Sequence, residues 1–309
     1  MAHVFVTRRL VGDALDRLVA AGHEVDVWEQ RLPPPRDELA ARAGAADALL
    51  CTLSDRIDGA LLDACPRLRV IANHAVGVDN IDLAAARARG IPVGNTPDVL
   101  TAATADLAFA LLLAAARRLP QTAQAVKDGA WGPWEPDGFL GHDVTGTTLG
   151  IVGAGRIGRA LARRAAGFEM EVFMATSNGG TPLHDLLARS DFVSLHLPLT
   201  PQTRHLIDAA ALAQMKPTAI LVNTARGPIV DTAALLDALR AGTIAGAALD
   251  VTDPEPLPPD HPLLYEPNAL VVPHVGSATP RTRTHMADLA VDNVLAALAG
   301  EPLPHAVAP

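Results

Sequence analysis

The chain has 309 residues, 49% of them apolar and 3% aromatic, with 24 glycines and 25 prolines. That length and mix exclude a disordered or fibrous chain and leave room for two domains with cores of their own. With 25 basic against 34 acidic residues, the formal charge of −9 removes the basic footprint of a nucleic-acid binder.

Residues 1–97 alternate short β-like runs with helical stretches. His3–Thr7 reads as a strand, Gly12–Ala21 as a helix, and Glu24–Trp28 as a strand. Pro33-Pro34-Pro35 interrupts before a helix from Asp37. Ala48–Cys51, Val70–Ala72 and Ile91–Val93 are further strands, separated by helices at Gly59–Cys65 and Leu83–Arg89. Such alternation predicts a parallel sheet covered on both faces. Cys51 and Cys65, the only cysteines, have no metal-ligand spacing and read as buried free thiols; no metal is expected. The start of the chain lacks a charged leader followed by a signal-length apolar run.

Val99–Arg118 reads as an alanine- and leucine-rich helix that Pro120 breaks, with a second helix from Gln121 to about Asp128. Within the first of these, Leu107–Ala116 is the longest apolar run, and its ten residues are too few to cross a bilayer. The expectation is a cytoplasmic protein without a membrane partner. Trp131 to Phe139 is then a loop holding two of the three tryptophans, which suits a pocket border or a subunit contact and equally a hydrophobic surface turn.

From residue 147 the alternation resumes. A strand over Leu149–Val152 runs into Gly153, Gly155 and Gly158, spaced G-x-G-x-x-G, and then into the helical pattern Ile157, Leu161, Ala165. The first glycine allows the tight turn, the second lets backbone approach a pyrophosphate, and the third packs helix on strand. The helix end beyond them aims free N–H groups at phosphates. Strands at Glu171–Met174, Phe192–His196, Ala219–Asn223, Ala245–Leu249 and Leu270–Val272 alternate with helices at Pro182–Arg189, Ala209–Gln214 and Thr232–Ala241. A last helix covers about Thr282–Ala299.

Ligands of parallel sheets bind beyond the carboxyl ends of the strands. Arg226, Asp250 with Glu255 after it, and His274 lie just past three such ends. Guanidinium binds carboxylates bidentately, imidazole exchanges a proton near neutral pH, and a carboxylate beside it favours imidazolium and fixes its tautomer. With a nicotinamide, that set reduces an α-keto acid.

Several ordered motifs, spanning nearly the whole chain, resemble the D-isomer-specific 2-hydroxyacid dehydrogenases. They are Val76-Gly77-Val78-Asp79-Asn80-Ile81-Asp82, the glycine fingerprint, Leu195-His196-Leu197-Pro198-Leu199-Thr200, Asn223-Thr224-Ala225-Arg226-Gly227, Asp250-Val251 with Glu255-Pro256, and Pro273-His274-Val275-Gly276-Ser277. The resemblance implies an α/β fold of two Rossmann-like, doubly wound parallel-sheet domains. One is a discontinuous, flavodoxin-like substrate domain, residues 1–98 plus 284–309; the other is an NAD(P)-binding Rossmann domain, 99–283. It implies NAD(P)H-dependent reduction of a small 2-keto acid, glyoxylate or hydroxypyruvate, in a closing cleft by a homodimer. Arg226 would orient the substrate, His274 protonate its carbonyl oxygen, Glu255 support His274, and the N–H groups of Val76 and Gly77 hold its carboxylate. The cofactor would meet Thr104, Gly153, Gly155, Arg156, Ile157, Gly158, Thr176, Leu197, Pro198, Thr203, Thr224, Ala225, Asp250 and Gly276. Rival implications are action on 3-phosphoglycerate, formate or phosphite, and a dinucleotide-sensing corepressor or scaffold.

Two departures bear on the cofactor. The second strand of the cofactor domain ends at Thr176, before Ser177-Asn178, where NAD users of the family carry an acid and NADP users often an arginine. The missing acid tilts the expectation to NADP. The chain also reaches its next helix about a dozen residues early, as if a helix and a short strand were trimmed or unrecorded.

Overall fold

The computed structural model describes residues 1–176 and 179–307. They form two compact units, 1–100 with 277–307 and 101–276. No described helix is long and apolar enough to cross a membrane.

The first unit runs β1 (His3–Val6), α1 (Ala14–Ala20), β2 (Glu24–Val27), α2 (Arg36–Ala45), β3 (Ala48–Cys51), α3 (Gly59–Asp63), β4 (Val70–Asn73), α4 (Leu83–Ala88) and β5 (Val93–Gly94). Its strands are all parallel, in the order β2-β1-β3-β4-β5. This is the flavodoxin-like order. Alternation along β1 divides the core: Phe5 packs with residues of α2 and α3, while Val4 and Val6 pack with α1 and the terminal helix Pro280–Ala299. That helix presents Ala287, Ala290, Val291 and Val294 to the sheet and ends at Gly300 in the left-handed region.

The second unit contains α5 (Thr101–Ala116), α6 (Leu119–Lys127), β6 (Thr148–Val152), α7 (Arg156–Ala166), β7 (Glu171–Thr176), β8 (Gly179–Gly180), α8 (Leu183–Arg189), β9 (Phe192–Leu195), α9 (Ala209–Gln214), β10 (Ile220–Asn223), α10 (Thr232–Arg240), β11 (Gly246–Leu249) and β12 (Ala269–Val271). The sheet order is β12-β11-β10-β9-β6-β7-β8, parallel except for β8. Strand order reverses between β6 and β9, the place where doubly wound sheets open a crevice.

One local expectation is corrected. Pro120 does not break α5, which already ends at Ala116; it sits in the first turn of α6. Arg118, left-handed at φ 51°, makes the break, and a proline in the first helical turn sacrifices no N–H bond. Before α8, β8 pairs antiparallel with the end of β7, Ala175 opposite Gly180 and Thr176 opposite Gly179. Gly179 and Gly180, at φ 136° and 89°, take backbone conformations that side chains resist.

Phe5 is fully buried among Leu49, Leu61 and Ile71. Phe5→Ala is expected to cost about 3–5 kcal/mol, read as a lowered urea midpoint.

Candidate active site

The glycine turn joins β6 to α7. Gly153 has φ 103°, and a Cβ there would stand 2.3 Å from the His196 carbonyl oxygen. A Cβ on Gly158 would lie 2.2 Å from the Gly153 oxygen, so strand and helix touch through backbone alone. A Cβ on Gly155 would meet nothing within 4 Å. The turn is closed below and open above, as a pyrophosphate resting on it needs. Gly155 caps α7 without a side-chain bond, and the first turn, opening with Arg156 and Ile157, carries no acid to cancel the positive helix end. These residues fit a dinucleotide.

At the end of β7 the Thr176 hydroxyl donates to the Gly179 carbonyl at 2.8 Å across the hairpin. Ser177 and Asn178 lie outside the described residues. Of the described residues here, Thr176, Gly179, Gly180, Thr181 and Pro182, none is ionisable.

Beyond β9 the His196 ring bonds the Ser194 hydroxyl through Nε2 at 2.8 Å, while Nδ1 is buried with no partner among the described residues. Burial pushes this imidazole down to about 4, so it is neutral at physiological pH. Leu197 and Pro198 open a turn that Thr203 closes: its hydroxyl donates to the Pro198 oxygen at 2.8 Å and accepts from the Thr200 N–H at 2.7 Å.

Beyond β10 the Asn223 side chain shapes the turn carrying Arg226. Its Oδ1 accepts from the Ala225 N–H at 3.0 Å, and its Nδ2 donates to the Arg226 oxygen at 2.9 Å. The Arg226 guanidinium donates to the Ala225 carbonyl at 2.8 Å. The Thr224 hydroxyl is buried without a partner among the described residues. From α5, Thr104 donates to the Gly276 carbonyl at 3.3 Å.

Beyond β11 and β12 the set is tightest. Glu255 Oε1 and His274 Nδ1 are 2.6 Å apart. With Nδ1 committed to the carboxylate, Nε2 is the atom left to exchange a proton. His274 has φ 52°, and its N–H donates to the Asp250 carbonyl at 2.9 Å. Asp250, 1% exposed, accepts from the Val275 and Gly276 N–H groups at 2.6 and 2.9 Å. Burial raises its carboxyl above the usual range; the N–H bonds and the charge of His274 oppose that rise.

Three residues that sequence reading overlooked brace the Glu255 loop. Thr232 donates to the Asp253 carbonyl at 2.9 Å, Thr252 to the Pro254 carbonyl at 2.8 Å, and Arg204 pairs with the Asp253 carboxylate at 3.7 Å. The Thr252 N–H also reaches Glu255 Oε2 at 3.4 Å. No local sequence signal marks them, because the partners of Arg204 and Thr232 are brought there by tertiary packing.

The first unit carries the remaining expectation, Val76 and Gly77. Their N–H groups donate to no acceptor among the described residues. Their carbonyls are held by amides: Asn95 Nδ2 donates to Val76 O at 2.8 Å, and Asn73 Nδ2 to Gly77 O at 2.9 Å.

Residues 109–276 match the family model described as D-isomer specific 2-hydroxyacid dehydrogenase, NAD binding domain. Over 98% of the chain, and 95% of the relative, the sequence is 48% identical to a glyoxylate reductase of Korarchaeum cryptofilum. A crystal structure of a Thermus thermophilus protein aligns with TM-score 0.93 and 51% identity over 99% of this chain and all of that one. An NADPH-dependent glyoxylate/hydroxypyruvate reductase of Sinorhizobium meliloti, in complex with NADP and malonate, aligns with TM-score 0.85 and 35% identity over 99% of this chain and 96% of its own.

Neutral, buried His196 sets a pH dependence. The unfolded chain takes up that proton near 6.5 and the folded one near 4, so the stability is present above 6.5 and lost as pH falls towards 4. Urea midpoints of the wild type should fall across that window more steeply than those of His196→Asn, which cannot titrate there.

Proposed function

Because this chain belongs to the D-isomer specific 2-hydroxyacid dehydrogenases, and is thus an oxidoreductase that reduces a 2-keto acid with a nicotinamide cofactor, we propose that its substrate is glyoxylate or hydroxypyruvate and its product the 2-hydroxy acid, of D configuration where that acid is chiral. The observation that carries the site assignment is the 2.6 Å contact between Glu255 and His274 at the ends of neighbouring strands.

Gly153, Gly155, Gly158 and the N–H groups of Arg156 and Ile157 would hold the pyrophosphate, with Leu197, Pro198 and the Thr203-closed turn beside them. Thr104, Thr224, Ala225, Asp250 and Gly276 would hold the nicotinamide end, and Thr176 would meet the adenosine ribose. A bound reduced nicotinamide supplies a hydride to the keto carbon. Arg226 binds the keto acid by its guanidinium and draws electron density towards the carbonyl oxygen. His274, charged and held by Glu255, gives its Nε2 proton to that oxygen and is left neutral, with Nδ1–H still on the carboxylate. In the first unit, the N–H groups of Val76 and Gly77 are assigned a carboxylate.

NADPH is the favoured cofactor in this reading, because no acid among the described residues at the end of β7 repels a 2′-phosphate. We also assign a homodimer. α6 buries none of its residues, and Leu119, Val126, Trp131, Trp134, Phe139 and Leu140 are each more than half exposed, an apolar surface that a second copy would cover.

Initial rates with glyoxylate and hydroxypyruvate, each with NADH and NADPH, test the assignment; turnover favouring neither keto acid over lactate-sized or phosphorylated analogues would sink it. His274→Ala should lower kcat about 10²- to 10⁴-fold while NADPH binding, followed by its fluorescence, persists. Light scattering should report twice the chain mass, and Trp134→Glu with Leu140→Glu should shift it towards the monomer.

A further inference from the structure

β5 is an edge strand only two residues long, and the segment after the terminal helix turns back onto it. Gly94 bridges Ala306 antiparallel, and the Val307 N–H donates to the Val93 carbonyl at 2.8 Å. Between them lies a closed ring of polar contacts. The Asn95 N–H donates to the His305 carbonyl at 3.1 Å, and the His305 N–H donates to Asn293 Oδ1 at 3.0 Å. Asn293 Nδ2 then donates to the Asn95 carbonyl at 3.1 Å. Asn293 is fully buried, and its side chain stands 2.5 to 2.9 Å from where a Cβ on Gly94 would be. A residue of any other kind at 94 would displace it.

This ring pins both backbone groups of Asn95, whose side chain holds the Val76 carbonyl. In a trans peptide the N–H points opposite to the carbonyl oxygen. Fixing Val76 O therefore fixes the direction of the Gly77 N–H. Shielding an edge strand needs only backbone pairing; a buried asparagine spanning both segments sets the register and attitude of Asn95 as well.

We propose that Asn293 and the segment His305–Val307 are positioning elements for the substrate carboxylate, acting through Asn95 on the Gly77 N–H. The proposal rests on the assignment of that N–H to a carboxylate. The residues touch no reacting atom, so their removal weakens substrate binding and leaves the chemical step intact.

Three variants test it in the holoenzyme with NADPH: Asn95→Leu, Asn293→Leu and deletion of residues 304–309. Each should raise KM for glyoxylate about tenfold, the effect of one lost orienting hydrogen bond, with kcat within about twofold and NADPH affinity unchanged. The inhibition constant of oxalate, a carboxylate probe that is not reduced, should rise in parallel. Asn95→Leu combined with the deletion should exceed neither alone by much, since both act through one peptide. Lower melting temperatures with KM and oxalate inhibition unchanged would reduce the segment to an edge cover and overturn the proposal. Should the deletion fail to fold, Asn95→Leu alone decides, because its lost bond lies outside the sheet pairing. A wild type that reduces no keto acid would instead defeat the assignment of the substrate, and oxalate binding would then carry no weight for either.

Discussion

At Gly153 three pieces of backbone come as close as atoms allow, and the placement of the second unit's candidate groups depends on that approach. β6 must leave the sheet there, β9 passes its His196 carbonyl against the turn, and α7 begins by resting Gly158 on the Gly153 oxygen. A side chain at 158 would lift the helix off the strand, and one at 153 would push away the exit of β9. The positive end of α7 is thereby set at the reversal of strand order, and the exits of β9, β10, β11 and β12 come in sequence along one edge. Arg226, Asp250 and His274 lie just past three of those exits.

Holding His274 there has an energetic cost that the surroundings offset. A left-handed backbone at a non-glycine residue costs on the order of 1–2 kcal/mol. Its N–H is secured by the Asp250 carbonyl, and the next two N–H groups by the Asp250 carboxylate. Burying that carboxylate is itself unfavourable, which raises its proton affinity, but two N–H donors in a dry site are strong partners. The result is an imidazole whose backbone and Nδ1 are both tied, leaving one nitrogen for chemistry. Asp250 thus does as much for the loop as for any cofactor.

Strand ends and their ionisable residues were legible because parallel sheets write themselves as short apolar runs that give way to turn chemistry. Arg226, Glu255 and His274 stand out once the residues just after each run are compared for charge. The braces do not. Thr232 looks like one more first-turn residue beside its capping Asp231, and Thr252 like a loop threonine; their partners, Asp253 and Pro254, are set by tertiary packing around Gly227. Pro120 misled because proline stops a helix from inside yet starts one from its first turn, and the deciding left-handed residue, Arg118, has no sequence mark. The partnership of Asn293 with Asn95, 198 residues apart, has no local signature at all.

The end of β7 carries no ionisable group among the described residues. Gly179 and Gly180 pair with its last residues, and the Thr176 hydroxyl spends its proton on the Gly179 carbonyl. A 2′-phosphate presents only acceptors, so a hydroxyl already donating elsewhere grips it weakly. A ribose diol needs an acceptor, and no carboxylate stands among the described residues at this strand end. The glycine turn and the acid-free first turn of α7 are features that would serve NADH and NADPH alike.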